Sequence, residues 1–459
     1  MRGNLAYTVQ EEKLKEGDGE TLRYLSRKGL LSFDYFLDYY VGWWRKGEKK
    51  KKQFEAALKK ALQGEGFREP KKQLKQMKEC LNGYDISYDV VKHEVSDNDL
   101  CDIFEKINST GTKLNIFDLK VADFKDKGVN LRNLWKIAKE ENPDFEWNIF
   151  DIDPVYILKT IALVKKSKGR PEEKVTCQKR NIDELPDFYE AENIQKDFNG
   201  DWKNAVKWLR SAIEGYKSNY GVARATKVPY APMLIVYAAI LWWNDENTKL
   251  NDIAINEKLS FWYWCSVFSK RYDKSTDDRV AEDFKLLRQW LLGKIDGIEK
   301  IIQPYRKISL MELSNRDAIY KGILCLPSAN GAKDLFDTKY QSNLEVEDHH
   351  IFPRKWLEDH GFNIKGKKAN CVLNRTYILA NKNSAIGRKA PDKYFKEQCD
   401  EVYSDKLDYN KKEDFKKHFI DNEALEYVRK NDFRKFLERR EELIWAEIKS
   451  KTKTGGESL

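Results

Sequence analysis

Leu344-Glu345-Val346-Glu347-Asp348-His349-His350-Ile351 alternates like a half-buried β-strand in a chain that otherwise reads as helix. Asn374-Arg375-Thr376-Tyr377-Ile378-Leu379 is a second strand candidate, separated from the first by a Gly- and Lys-rich connection. Asn381-Lys382-Asn383-Ser384 then carries a helix-start signature, and Pro391 opens a further helix. Strand, loop, strand and helix make a compact ββα unit, so the expected fold class is a mainly α protein with a small ββα element near its C-terminus.

Outward from this unit the helical signals dominate. Ser32 is placed as an N-cap before the stripe Phe33, Phe36, Leu37, Tyr40, Val41 and Trp44. Ser96 or Asp97 would cap a helix carrying Leu100, Ile103, Phe104 and Ile107, which stops at the turn residues Asn108-Ser109-Thr110-Gly111. Another helix runs through Phe117, Val121 and Phe124. Pro229 and Pro232 introduce Met233 to Trp243, apolar on every side and therefore expected at the centre of the core. The last helix carries Phe433, Phe436, Leu437, Ile444 and Ile448, with a polar tail from Lys449 to Leu459. Arg45 to Lys52, Lys165 to Lys174 and Ser328 to Lys333 read as loops or linkers. The expected division is a helical region over 1–130, a helical middle domain over 131–325, and the ββα-containing domain with its C-terminal helices over 326–459.

Composition excludes several classes. The 459 residues are 35% charged, yet 13% aromatic, which marks a globular chain rather than a disordered one. The longest apolar run, Met233 to Trp243, is too short to span a bilayer, and Met1 to Asp18 has no signal-peptide core. Seven cysteines stand singly with no C-x-x-C, which excludes a disulfide framework and a standard zinc ribbon and points to the reducing cytoplasm. Between Asp348 and Lys393, ten basic residues face four acidic ones, a net +6 out of +9 for the whole chain. A phosphate-rich partner explains that concentration, and a solvated basic face is the alternative. For Lys49-Lys50-Lys51-Lys52 the solvated loop is preferred, because no aromatic interleaves the lysines.

The chain has five histidines, two of them adjacent in Asp348-His349-His350-Ile351-Phe352-Pro353. Neighbouring strand residues point to opposite faces, so the two cannot act identically. A neutral imidazole can take a proton from water near pH 7, while a second His or an Asp can hold a divalent ion. Taken alone, the pair would sooner be read as surface histidines. A structural zinc site from His349, His350 and Cys371 lacks a fourth ligand at the usual spacing.

In this context the segment resembles the HNH, or ββα-metal, nuclease motif. The resemblance makes His350 the general base and His349 a metal ligand. It continues through Asn374-Arg375-Thr376, then Asn383, Ile386-Gly387 and Pro391-Asp392-Lys393-Tyr394. It implies that Asn374 pins the loop around the base and that Asn383, at the helix start, completes the metal site. Many members carry Asp where this chain has His349, which leaves His349, Asp348 or both as ligands; Mg²⁺ or Mn²⁺ is the implied ion, with the imidazole favouring Mn²⁺ or another transition ion more than an all-oxygen site would.

Phe104-Glu105-Lys106-Ile107-Asn108-Ser109-Thr110-Gly111-Thr112-Lys113-Leu114, followed by Asp118-Leu119, resembles the hallmark of GmrSD-type modification-dependent restriction proteins, which pair an N-terminal ParB/sulfiredoxin-like NTPase part with a C-terminal HNH nuclease. Their Asp-Gly-Gln-Gln-Arg motif does not occur in this chain. The expectation is that the chain begins after that module, through natural loss, a split system with a separate NTPase subunit, or a cloned fragment. The resemblance thus implies a metal-dependent DNA endonuclease in defence against foreign or modified DNA. Arg354, Lys355, Arg375, Arg388 and Lys389 would meet DNA phosphates, with no membrane partner. The rival expectation is a catalytically inactive DNA- or partner-binding subunit.

Overall fold

The computed structural model describes residues 116–145, 150–167, 182, 184–222, 225–298, 302, 308–337, 346–362, 367–402 and 407–453. The helices expected from Ser32 and from Ser96 or Asp97, the Asn108–Gly111 turn, the Lys49–Lys52 run and the segment from Phe104 to Leu114 lie outside these residues. Contacts divide the chain into Met1–Leu114 and Asn115–Leu459, and all that follows concerns the second unit.

That unit is mainly helical. Its first part comprises α1 (Ile116–Asp126), α2 (Leu131–Glu141), α3 (Val155–Ser167), α4 (Ile194–Tyr220), α5 (Met233–Glu246), α6 (Asp252–Phe268), α7 (Thr276–Leu291) and α8 (Ala318–Ala329). Helix starts are set locally: the side chains of Asn130 and Asn251 accept hydrogen bonds from backbone N–H groups three residues on, as N-caps do. α4 ends at Gly221, whose φ of +64° and close approach to the Cys325 carbonyl leave no room for a side chain.

α5 is the centre of the core. Its residues Met233 to Ile240 are all buried, and it packs against α3, α4 and α7. A helix with no polar stripe is stable only where neighbours cover every side, and three helices do so here. The boundary expected at 325/326 falls inside α8, which packs on α4 and α6 and also reaches the sheet described next.

The sheet has two antiparallel strands, β1 (Val346–His350) and β2 (Arg375–Leu379), in the register Val346 to Leu379, Asp348 to Tyr377, His349 to Thr376 and His350 to Arg375. Between them lie the short helices α9 (Arg354–Asp359) and α10 (Lys367–Asn370) and a 3₁₀ turn, Val372–Asn374. α11 (Ala380–Ile386) follows β2 without a gap and packs on both strands. Gly387, at φ +57°, ends it. Then come α12 (Pro391–Gln398), α13 (Tyr409–Lys417), α14 (Asn422–Arg429) and α15 (Phe433–Lys451). The expected strand–loop–strand–helix order is present, with the last helix reaching Lys451, two residues past the point where a polar tail was expected.

α15 links the two regions. It packs on α6, on α14 and on the 3₁₀ turn before β2. Its buried Arg440 donates hydrogen bonds to the carbonyls of Leu373 (2.6 Å) and His418 (3.2 Å). Burial lowers the guanidinium to about 9, which leaves it protonated at neutral pH. Apolar side chains from Phe117 to Ile448 form one continuous core. Among the described residues no helix is long and apolar enough to cross a membrane.

Candidate metal and phosphodiester site

The pleat of β1 sorts its side chains onto two faces. Glu347 and His349 face α11; Asp348 and His350 face the other way, opposite Tyr377 and Arg375. This separates the two histidines, and each acquires a different environment.

On the α11 face, His349 is buried beside Asn383 and Tyr394. Its Nδ1 lies 2.8 Å from Asn383 Oδ1, and its Nε2 lies 3.4 Å from the Tyr394 hydroxyl. The Asn383 amide nitrogen donates to Glu347 Oε2 at 2.8 Å, which turns the amide oxygen toward the imidazole. Burial pushes the His349 ring down to about 4, reinforced by the charge of Arg375 and opposed by the contact with Asn383. The ring is therefore neutral at pH 7.

His350 is half-buried at the end of β1. Its Nε2 lies 3.1 Å from Asn370 Oδ1. An amide oxygen only accepts, so that nitrogen carries the hydrogen and Nδ1 is left as the basic atom. Burial, then the positive charge of Arg375, lowers this ring to about 3.

Asn374 is fully buried and ties the loop that follows His350. Its Oδ1 accepts from Phe352 N–H (2.8 Å), and its Nδ2 donates to the carbonyls of Phe352 and Ala369, each at 3.0 Å. Its own carbonyl accepts from Ile351 N–H at 2.9 Å. One side chain thus closes the loop between α10 and the end of β1.

The structure brings His349 and Asn383 together and places Asp348 elsewhere. Asp348 is ion-paired to Arg375 Nη1 at 3.2 Å, on the face away from Asn383. Arg375, expected to meet DNA, has a side chain only 16% exposed and lies beside His350. Lys355 is paired with Glu358 and Asp359, and Lys389 with Glu397. Arg354 and Arg388 are exposed.

Three participants were not singled out in the sequence. Glu347 could have been, since the period of two puts it on the face of His349. Asn370 carries no such signal, and Tyr394, which ends the Pro391–Tyr394 element of the resemblance, was given no role there; loop closure and helix packing bring them to the histidines. On the opposite face, Lys227 from the helical part lies over the Tyr377 ring at 3.5 Å. It joins the sheet to the body of the molecule.

Among the described residues no group of three or more His, Cys, Asp or Glu side chains is arranged to hold an ion. The donors at hand on the α11 face are one imidazole nitrogen, His349 Nδ1, and one amide oxygen, Asn383 Oδ1, which would leave most of the shell of a divalent ion to water. His349 Nδ1 and Asn383 Oδ1 lie 2.8 Å apart, the separation of a hydrogen bond between them. Such a pair would suit Mn²⁺ or another transition ion better than Mg²⁺.

No family model matches the chain. An uncharacterized protein of Methanocaldococcus jannaschii is 32% identical over 340 residues, which covers 70% of this chain and 54% of that protein. The chain therefore spans about half the length of this curated relative.

Proposed function

We propose that the ββα unit is the catalytic centre of a metal-dependent DNA endonuclease of the HNH type, acting in a restriction or anti-phage defence system of the GmrSD kind. The observation that carries this reading is the convergence of His349, from the first strand, and Asn383, from the helix after the second strand, with His350 the last residue of its strand, where the chain bends out of the sheet, and Asn374 closing the loop behind it.

In this mechanism His350 Nδ1 takes the proton of the attacking water, while Asn370 holds the ring in the tautomer that leaves Nδ1 bare. Asn374 keeps the backbone after His350 in place, so the base does not drift from the phosphate. His349 Nδ1 and Asn383 Oδ1 would hold a divalent ion, which supplies charge stabilisation to the phosphoryl group and the leaving oxygen. Arg354 and Arg388 would bind neighbouring backbone phosphates, which fixes register without reading sequence. Arg375, held by Asp348 beside His350, would face the phosphate at the reacting position.

Cleavage of plasmid DNA tests the reading directly. Nicking or cutting with Mg²⁺ or Mn²⁺, abolished by EDTA, is the expected result. Undiminished cleavage in EDTA would reject the metal mechanism. DNA binding with no cleavage across Mg²⁺, Mn²⁺, Ni²⁺ and Co²⁺ would favour the non-enzymatic alternative, a DNA- or partner-binding subunit. That alternative is supported by the small donor set, since among the described residues only His349 and Asn383 converge as candidate ligands.

A further inference from the structure

The two ring nitrogens of His349 have different neighbours, and those neighbours constrain where its hydrogen can sit. Tyr394, in the Pro391–Tyr394 segment to which the mechanism above assigns no role, donates its hydroxyl hydrogen to the Ile351 carbonyl at 2.6 Å. A phenol has one hydrogen, so it turns a lone pair toward His349 Nε2. The Tyr394 ring is fully buried and wedged against Phe336 and Phe395, which hold it in this orientation. On the other side, the bond from the Asn383 amide nitrogen to Glu347 means that Asn383 also presents a lone pair.

A neutral imidazole carries one N–H, and its two tautomers are therefore unequal here. With the hydrogen on Nδ1, the ring donates to Asn383 at 2.8 Å and leaves Nε2 facing the phenol oxygen across 3.4 Å. With the hydrogen on Nε2, the ring donates to Tyr394, and the lone pairs of Nδ1 and Asn383 Oδ1 face each other across 2.8 Å with no hydrogen between them. A cation satisfies that arrangement.

We propose that Tyr394 is a positioning residue for the cation site: its hydroxyl oxygen accepts the Nε2 hydrogen and thereby lets His349 turn a bare Nδ1 to a divalent ion shared with Asn383. The proposal rests on the metal-dependent reading above. In the metal-free protein the shorter contact wins and the hydrogen sits on Nδ1. On cation entry Nδ1 gives its proton to solvent and Nε2 takes one from solvent, so the count of protons is unchanged. Without the phenol oxygen the new N–H would be buried with no acceptor, which opposes metal binding.

Tyr394→Phe tests this, with Mn²⁺ affinity measured by calorimetry and the histidine ring nitrogens followed by ¹⁵N NMR using Zn²⁺ as a diamagnetic stand-in. The wild type is expected to move His349 from the Nδ1–H to the Nε2–H form when Zn²⁺ binds. The variant should keep Nδ1–H without metal and bind Mn²⁺ about tenfold to a hundredfold more weakly. His418, whose ring is held by Thr376 and the Lys333 carbonyl, reports the fold and should give the same signals in both proteins. If it does not, the wild-type tautomer decides alone, and a Zn²⁺-bound protein with the hydrogen still on Nδ1 overturns the proposal. Unchanged Mn²⁺ affinity in the variant also overturns it while leaving the metal site standing. A wild type that binds no Mn²⁺ overturns both this proposal and the metal-dependent reading.

Discussion

His349 and His350 differ by one position in sequence and by one face of a strand in space, so their loss should produce different defects. Removing His350 deletes the proton acceptor, and cleavage should fall by about 10² to 10⁴ at every metal concentration. His349→Ala weakens ion binding instead, so part of its loss should return at high Mn²⁺. His349→Asp should be better tolerated than alanine, since a carboxylate can also hold the ion. Single-turnover cleavage across a Mn²⁺ titration separates them; rescue of His350→Ala but not of His349→Ala would mean the roles are exchanged. Asn374 makes a separate prediction about stability. Asn374→Ala leaves buried groups on Phe352 and Ala369 without their partner. Unmade buried hydrogen bonds are costly, and a loss of about 2 to 4 kcal/mol in denaturant unfolding is expected. A variant as stable as the wild type would show that the loop is held by other interactions.

At the level of the element, the two-stranded sheet is too small to stand alone and is held from both faces. α11 and α12 cover the His349 side, and α8 with Lys227 meets the other. Thr376, the cross-strand partner of His349, is anchored through its hydroxyl to His418 Nδ1 at 2.8 Å, and His418 Nε2–H donates to the Lys333 carbonyl at 2.8 Å. Burial lowers His418 to about 4 from an ordinary value of 6.5. The unfolded chain therefore takes up a proton near pH 6.5 that the folded protein refuses until about pH 4. The contribution of a neutral, buried His418 is complete above pH 6.5 and is lost as the pH falls toward 4, an effect of about 3 kcal/mol. His418→Gln removes the titration. Urea unfolding from pH 7 to pH 4 should show the wild type losing stability more steeply than the variant, and parallel curves would contradict the assignment.

For the molecule as a whole, positive charge is concentrated around one small unit, but much of it is already engaged. Lys355, Arg375 and Lys389 have carboxylate partners, whereas Arg354, between the two strands in sequence, and Arg388, after the second, are exposed. DNA affinity should fall with salt. An Arg354→Ala/Arg388→Ala pair should reduce the log–log slope by up to about 1.8, at about 0.9 for each phosphate no longer neutralised. Lys355→Ala should change it less, because that lysine must first give up Glu358 and Asp359. An unchanged slope in the double variant would place the DNA elsewhere on the protein.

Periodicity and turn chemistry in the sequence determined what depends on near neighbours. The alternation through Val346 to His350 marks a strand, Pro391 a helix start, and the unbroken apolar run from Met233 a central helix, because backbone geometry repeats over a few residues; burial in the strand does not alternate, since Val346 and His349 are buried on opposite faces. The pairing of His349 with Asn383 was legible only through a resemblance to a known motif. Tertiary structure alone decided the rest. It set Asp348 against Arg375 rather than beside Asn383, brought Asn370 to His350 and Tyr394 to His349, and pinned the turn before Asn374 with Arg440 from the last helix. These interactions join residues from 20 to 67 positions apart, the diagonal cross-strand pair of Asp348 and Arg375 among them. Side-chain hydrogen bonds at such separations carry no period, so only the packed chain reveals which polar groups meet.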